Sequence, residues 1–429
     1  MSAVRGIVPS RQLIGIFASL TGSQVGSALI GLVFWMVAAH TLAPDQLGVG
    51  AALVAAMSVL SMVGVLGVGT LLLERLPVVP ASDRRALYSA GLAIAGLGGM
   101  VFAGGFLVLC TVVRLPGTLG NLSATSALLL VVTSGLAALC AAFDQAAIGL
   151  GASNTQLRRN LLAAVVRVIV LVAAVALGSS SGQMIPLAWA IGFLVSVCAT
   201  PLRRHLPPRG TGIQHRWRLI RSHWVAAMGH HSLTLAMSSS SYLLPVVVAA
   251  TMPPAQVAYF AQARVVADTA NGLQYYLTTA LFATAGDPRG FRRMAARTLA
   301  MGMILAAAVF VGAAIFGHLV LSAFGATYGR ESLPLLLLLL SAGPALVVKE
   351  HFAVLRRLEQ RRRHGAVALG LWTVAELTGA IVGGQVGGTT AAVCVGSALA
   401  STACALIALP VLIRAIRLAD CHGPRSGAA

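Results

Sequence analysis

Thr41-Leu-Ala-Pro-Asp-Gln-Leu-Gly48 returns as Thr251-Met-Pro-Pro-Ala-Gln-Val-Ala258, at an offset of 210 residues in a chain of 429. Thr, Pro and Gln keep their places, large apolar residues flank them, and a long apolar run precedes each copy. The chain therefore reads as two related halves, and an internal repeat among apolar segments points to a transporter.

Working outward from the repeat, hydrophobic residues make up 58% of the sequence and charged residues 10%, against about 25% charged in a soluble domain. The bilayer is the solvent such a chain requires. Charge-free stretches such as Gln12 to Pro44, Ala86 to Val113 and Val168 to Leu202 each hold at least one helix of about 20 residues. The last holds two, hinged at Gly178-Ser-Ser-Ser-Gly182. The pattern predicts an all-α polytopic membrane protein of about twelve spans, starting near residues 12, 48, 88, 124, 159, 184, 224, 258, 295, 332, 364 and 388. The apolar run after the N-terminus is too long for a signal-peptide core, so the first helix is expected to be retained.

The expected organisation is a cytoplasmic N-terminus over 1–11, a six-helix bundle over 12–202, a basic connector over 203–223, a second six-helix bundle over 224–415 and a tail over 416–429. In the connector and at its exit, Trp217, Ile220 and Trp224 share one helical face, as an interfacial helix on anionic lipid would. The net charge of +19 is distributed by side: 25 of the 30 basic residues fall in alternate loops that share a side with both termini, while Arg114 and Arg330 lie opposite. By the positive-inside rule both termini are cytoplasmic. The basic charge is thus topology, and nucleic acid is not an expected partner.

Several chemistries are missing. The one lysine, Lys349, follows Val348, so there is no Gly-Lys-Ser/Thr phosphate loop for ATP-driven transport. The external loops offer only Asp45 and Glu331 as carboxylates, and no Gly-x-Ser-x-Gly occurs, so an enzyme is not expected. The cysteines form no Cys-x-x-Cys and the histidines no zinc spacing. No resident cofactor or metal is expected, and coupling to a proton or a sodium ion is left open.

An ionisable side chain deep in a bilayer costs on the order of 3 kcal/mol even on the mildest scale, so each needs a partner or a wet cavity. In the eighth span Arg264, Asp268, Asn271 and Tyr275 follow at i, i+4, i+7 and i+11, a single polar stripe that lipid cannot face. It reads as a cavity wall, with an internal Arg264–Asp268 bridge as the plainer alternative. Asp144 and Arg167, in the fourth and fifth spans, fall at similar depth and are expected to be able to pair across adjacent helices. Glu376, mid-way along the eleventh span, is a lone carboxylate suited to coupling or to pairing with Arg264 or another cation. Lys349 and Glu350 read as interfacial anchors. In the first span Ser19, Thr21, Ser23, Gln24 and Ser27 supply neutral hydrogen-bonding groups, either for hydroxyl-rich cargo or for helix contacts. Glycines such as Gly64, Gly98 and Gly99 read as close-packing positions.

The stretch Ala38-Ala-His-Thr-Leu-Ala-Pro-Asp-Gln-Leu-Gly48, followed by Leu73-Glu-Arg75-Leu-Pro77, resembles the N-terminal region of the polysaccharide and O-antigen flippases. These belong to the multidrug/oligosaccharidyl-lipid/polysaccharide exporter superfamily. Their first external loop typically reads Ala-Arg-x-Leu-Gly-Pro followed by Phe-Gly. Here His40 stands for the arginine, Ala43 for the glycine and Leu47 for the phenylalanine, marking a divergent member. The resemblance implies a MATE-like pair of bundles in pseudo-twofold relation around a central cavity, moving a lipid-linked sugar by alternating access. It implies Arg264 and Arg167 as candidates to hold a lipid pyrophosphate, and glycosyltransferases or a glycan polymerase as partners. An ion-coupled drug or metabolite exporter on the same fold is the other reading.

Overall fold

The computed structural model describes residues 29–200, 202, 221, 224–285, 288–359 and 362–417. Gln24 with its polar run, and the connector with Trp217 and Ile220, lie outside the described residues. Every regular element among those described is helical. In chain order they are α1 (Leu29–Thr41), α2 (Pro44–Gly64), α3 (Val68–Arg75), α4 (Ala81–Val113), α5 (Ala124–Gly149), α6 (Ser153–Ala176) and α7 (Met184–Ala199). The second half contains α8 (Trp224–Thr251), α9 (Pro254–Ala285), α10 (Pro288–Ser322), α11 (Ala326–Glu331), α12 (Leu333–Ser341), α13 (Gly343–Leu358), α14 (Arg362–Gly387) and α15 (Thr390–Arg417).

These fifteen helices make twelve spans, because α2 continues into α3 and α11 to α13 run on as one path. The first interruption is a left-handed turn: Leu66 has φ 51° and Gly67 φ 73°, a value that Gly67 adopts without steric cost. The other interruptions come just before Pro334 and Pro344, each in the first turn of the helix that follows, where a proline's missing N–H costs nothing. By length and composition eight of the described helical segments can cross a bilayer. On α10, Val311, Ile315, Phe316 and Leu319 are exposed, an outward apolar face that suits lipid. The chain is a multi-pass membrane protein.

Helix contacts inside the first bundle are made by small residues. A Cβ on Gly64 would lie 2.5 Å from the Gly99 backbone, and one on Gly98 would lie 2.3 Å from the Gly64 carbonyl. These glycines bring α2 and α4 into backbone contact, the packing role expected of them. Gly383 also packs, its virtual Cβ lying 2.2 Å from the Ala392 carbonyl. The glycine-rich run Gly383 to Gly387 is therefore helical, because α14 lies against α15.

The two repeat copies start α2 and α9 and meet each other. A Cβ on Gly48 would fall 1.7 Å from the Pro254 carbonyl oxygen, so only glycine fits there. The retained glutamine makes equivalent bonds in each half. Gln46 Oε1 accepts from the Gly182 N–H at 2.9 Å, and Gln256 Oε1 accepts from Thr390 Oγ1 at 2.9 Å. Each bond ties the repeat to the turn between the last two spans of its own half. The halves are also joined directly, since the Gly117 N–H donates to the Ala250 carbonyl at 2.9 Å and Thr118 Oγ1 to the Met252 carbonyl at 3.1 Å. One buried cluster runs through this end from Phe34 and Leu47 to Val248 and Phe260. The bundles are thus sealed where the repeats lie, and they also touch at the basic end, where Trp224 packs against the cluster of Val68, Leu72 and Leu87.

Candidate functional site

Below that seal lies a cavity of about 840 Å³, walled mainly by α8, α9, α13, α14 and α15, with Ala55 and Ser58 of α2 facing them. Arg264, Asp268 and Asn271 line it together, as a helical i, i+4, i+7 stripe requires. Tyr275 continues the stripe in sequence, but its side chain lies outside the described residues. Arg264 Nε sits 2.7 Å from Asp268 Oδ1, an ion pair within one helix, and Asp268 is 56% exposed to the cavity. The cavity wall and the internal bridge, posed as alternatives by the sequence, occur together. Asn271 Oδ1 has no hydrogen-bond partner among the described residues.

Arg264 makes a second contact, donating from Nη2 to the Ser241 carbonyl at 3.0 Å. That carbonyl is special. Pro245 lies inside α8 four residues later and has no N–H to give it. A membrane helix with an internal proline must find another donor for the freed carbonyl, and here the donor is an arginine of the facing helix.

A second charged cluster lies on the same wall. Lys349 Nζ donates to Glu376 Oε2 at 3.1 Å and to Ser240 Oγ at 2.6 Å. Trp372 Nε1 donates to Glu376 Oε1 at 2.9 Å and to Ser401 Oγ at 3.2 Å. Four spans, carrying α8, α13, α14 and α15, converge on one buried carboxylate and one buried ammonium. This corrects the reading of Lys349 as an interfacial anchor: it is 4% exposed and is the cation with which Glu376 pairs, in place of Arg264. The signal in the sequence is that Lys349 is the sole lysine among 30 basic residues.

Asp144 and Arg167 do not pair. Asp144 takes both ends of Arg159, Nε and Nη2 each at 2.7 Å, with Asn160 Nδ2 at 3.3 Å. The reason is where α6 starts. It begins at Ser153, six residues before the expected start, so Arg159 enters the membrane alongside Asp144 while Arg167 lies about 21 Å along the helix at 1.5 Å per residue. Arg159 is therefore a buried partner, 3% exposed, rather than a loop residue contributing to topology. Arg167 stacks on α7, its guanidinium carbon 3.7 Å from the Trp189 ring centre and 4.6 Å from that of Phe193. Neither Asp144 nor Arg167 lines the cavity.

The cavity is asymmetric between the halves. The 210-residue offset maps Arg264 to Val54 and Asp268 to Ser58, and Ser58 Oγ merely returns to its own helix at the Val54 carbonyl, 2.7 Å away. Serines complete the lining, with Ser238, Ser240, Ser241, Ser397 and Ser401 around the two ion pairs. Such a surface offers charges and many hydroxyl partners to a polar cargo.

No protein-family model and no curated sequence matches the chain. Solved structures do. The chain is similar to the lipid II flippase MurJ in its inward closed conformation, with a TM-score of 0.67 at 12% identity over 94% of this chain and 90% of that one. It is similar to an inward-facing multidrug resistance MATE family transporter of the MOP superfamily, with a TM-score of 0.62 at 13% identity over 94% and 96% of the two chains. A MOP superfamily transporter from Pyrococcus furiosus gives a TM-score of 0.57 at 13% identity over 94% and 93%. The chain has the fold of the MOP superfamily transporters.

Proposed function

We propose that this protein is a transporter that carries a lipid-linked sugar precursor across the cytoplasmic membrane by alternating access, its polar head group passing through the cavity between the bundles. The observation that carries this reading is the cavity itself: about 840 Å³ lined by serines, Asn271 and two cation–carboxylate pairs, enclosed by helices whose outward surface is apolar. Sugar hydroxyls are met by serines, and phosphate oxygens by Arg264. Its resemblance in fold to a lipid II flippase supports a lipid-linked cargo. The domains are those read from the sequence, with both termini cytoplasmic and the basic loops on the anionic leaflet. Arg264, Asp268, Asn271, Tyr275 and Glu376 serve the cargo or its coupling. The chain performs no bond-making step, and enzymes that build or polymerise the glycan are its expected partners.

The test is Arg264→Gln in cells that depend on the protein. Transport of the lipid-linked sugar should fall at least tenfold at unchanged protein level. Full activity in that variant would remove the cargo-contacting role and favour a membrane scaffold. The second reading, an ion-coupled exporter of drugs or metabolites, rests on the buried Lys349–Glu376 cluster. It requires efflux that depends on pH and is lost in Glu376→Gln.

A further inference from the structure

The break in α8 and the two cations of the cavity come together at a single place. Ser240 and Ser241 immediately precede the turn that Pro245 interrupts. Lys349 Nζ holds the Ser240 hydroxyl at 2.6 Å, and Arg264 Nη2 holds the Ser241 carbonyl at 3.0 Å. Each cation also faces a carboxylate, Glu376 or Asp268, and Glu350 lines the same space. In a continuous helix the Ser241 carbonyl would be filled by the backbone N–H of residue 245 and would ignore the cavity. With proline there, the conformation of α8 depends on a side chain that also faces the cargo.

We propose that α8 is a cargo-responsive hinge: Arg264 caps the carbonyl orphaned by Pro245, and an anionic group entering the cavity draws the guanidinium away and frees the helix to bend at Ser241–Pro245. The inference rests on the reading of the cavity as a cargo site for a phosphate-bearing head group. Arg264 is exchangeable because its ion-pair partner Asp268 is exposed to the cavity. A phosphate can replace it with a bidentate contact of its own. The freed carbonyl then loses its side-chain donor as well as the backbone N–H that Pro245 lacks, so the turn around it opens more readily. Binding energy at Arg264 is thereby transmitted to the helix that follows the connector and leads into the second repeat. A ligand shifts such an equilibrium only through a contact that differs between the two states, and the Arg264 guanidinium provides that difference.

The experiment is amide hydrogen exchange across residues 238–249 in the full-length purified protein, with inorganic pyrophosphate as the probe. In the wild type, pyrophosphate should speed exchange in this segment severalfold. Arg264→Gln should show the fast exchange without the probe. Pro245→Ala, which gives Ser241 a backbone donor again, should exchange slowly and respond to neither pyrophosphate nor the added Arg264→Gln change. A wild type whose segment is indifferent to pyrophosphate overturns the coupling, as does a Pro245→Ala protein that responds like the wild type. The variant arms need no cargo. If they behave as stated while the protein moves no lipid-linked sugar, the hinge stands and the cargo assignment falls.

Discussion

Gln46 and Gln256 explain why a glutamine persists in both copies of an otherwise worn repeat: each carbonyl oxygen holds a turn in its own half. Such a bond is visible in sequence only as retention. Lys349 and Glu376 are harder to read as a pair, because they sit on different helices and the sequence does not give which faces of those helices meet. They form a buried pair, and removing one partner of such a pair leaves an uncompensated charge at a cost of about 3–5 kcal/mol. Lys349→Met and Glu376→Gln should each lower the thermal unfolding temperature markedly in detergent, and the double variant should recover most of the loss. Equal and additive losses would mean that the two groups do not act as a pair. Arg264, Asp268 and Asn271 were legible for the opposite reason. Their spacing on one helix needs no knowledge of where neighbouring helices begin, so the stripe predicted its own common face.

At the scale of elements, the number of spans followed from hydrophobic length and the sorting of arginines, but several ends did not. The α6 start at Ser153 lies in a polar stretch, Ser153-Asn-Thr-Gln, that composition assigns to a loop; helix formation there is rewarded by the Arg159–Asp144 bond. In the same way α14 keeps Gly383 to Gly387 helical because close approach to α15 outweighs glycine's poor propensity. The breaks before Pro334 and Pro344 obey ordinary proline chemistry and were open to prediction. The short 3₁₀ segment Thr118–Gly120 was not, since its partners, Ala250 and Met252, come from the other half. Those bonds must part if the repeat end opens. A Thr118→Cys/Met252→Cys pair should cross-link on oxidation and abolish transport, with activity returning on reduction. Transport that continues in the fully cross-linked protein would rule out opening at this end.

For the whole molecule, the repeat is the scaffold and the departure from symmetry marks the site. Both copies seal one end of the bundles, while the charges that line the cavity come only from the second half, Arg264 and Lys349 among them, and the first half contributes Ser58 and Ala55. The sequence pattern alone placed the stripe in that asymmetry. It could not show that Arg167, deep in the first bundle, is held by Trp189 and Phe193 away from the cavity, since both rings lie a whole helix away in sequence. The account's central claim is that this asymmetric cavity moves a lipid-linked sugar between leaflets, and it is tested most directly by depleting the protein in its own cells and measuring lipid-linked sugar in each leaflet. The account predicts accumulation in the cytoplasmic leaflet with loss of surface glycan, restored by the wild type and not by Arg264→Gln. Unchanged lipid-linked pools and unchanged surface glycan after depletion would contradict it.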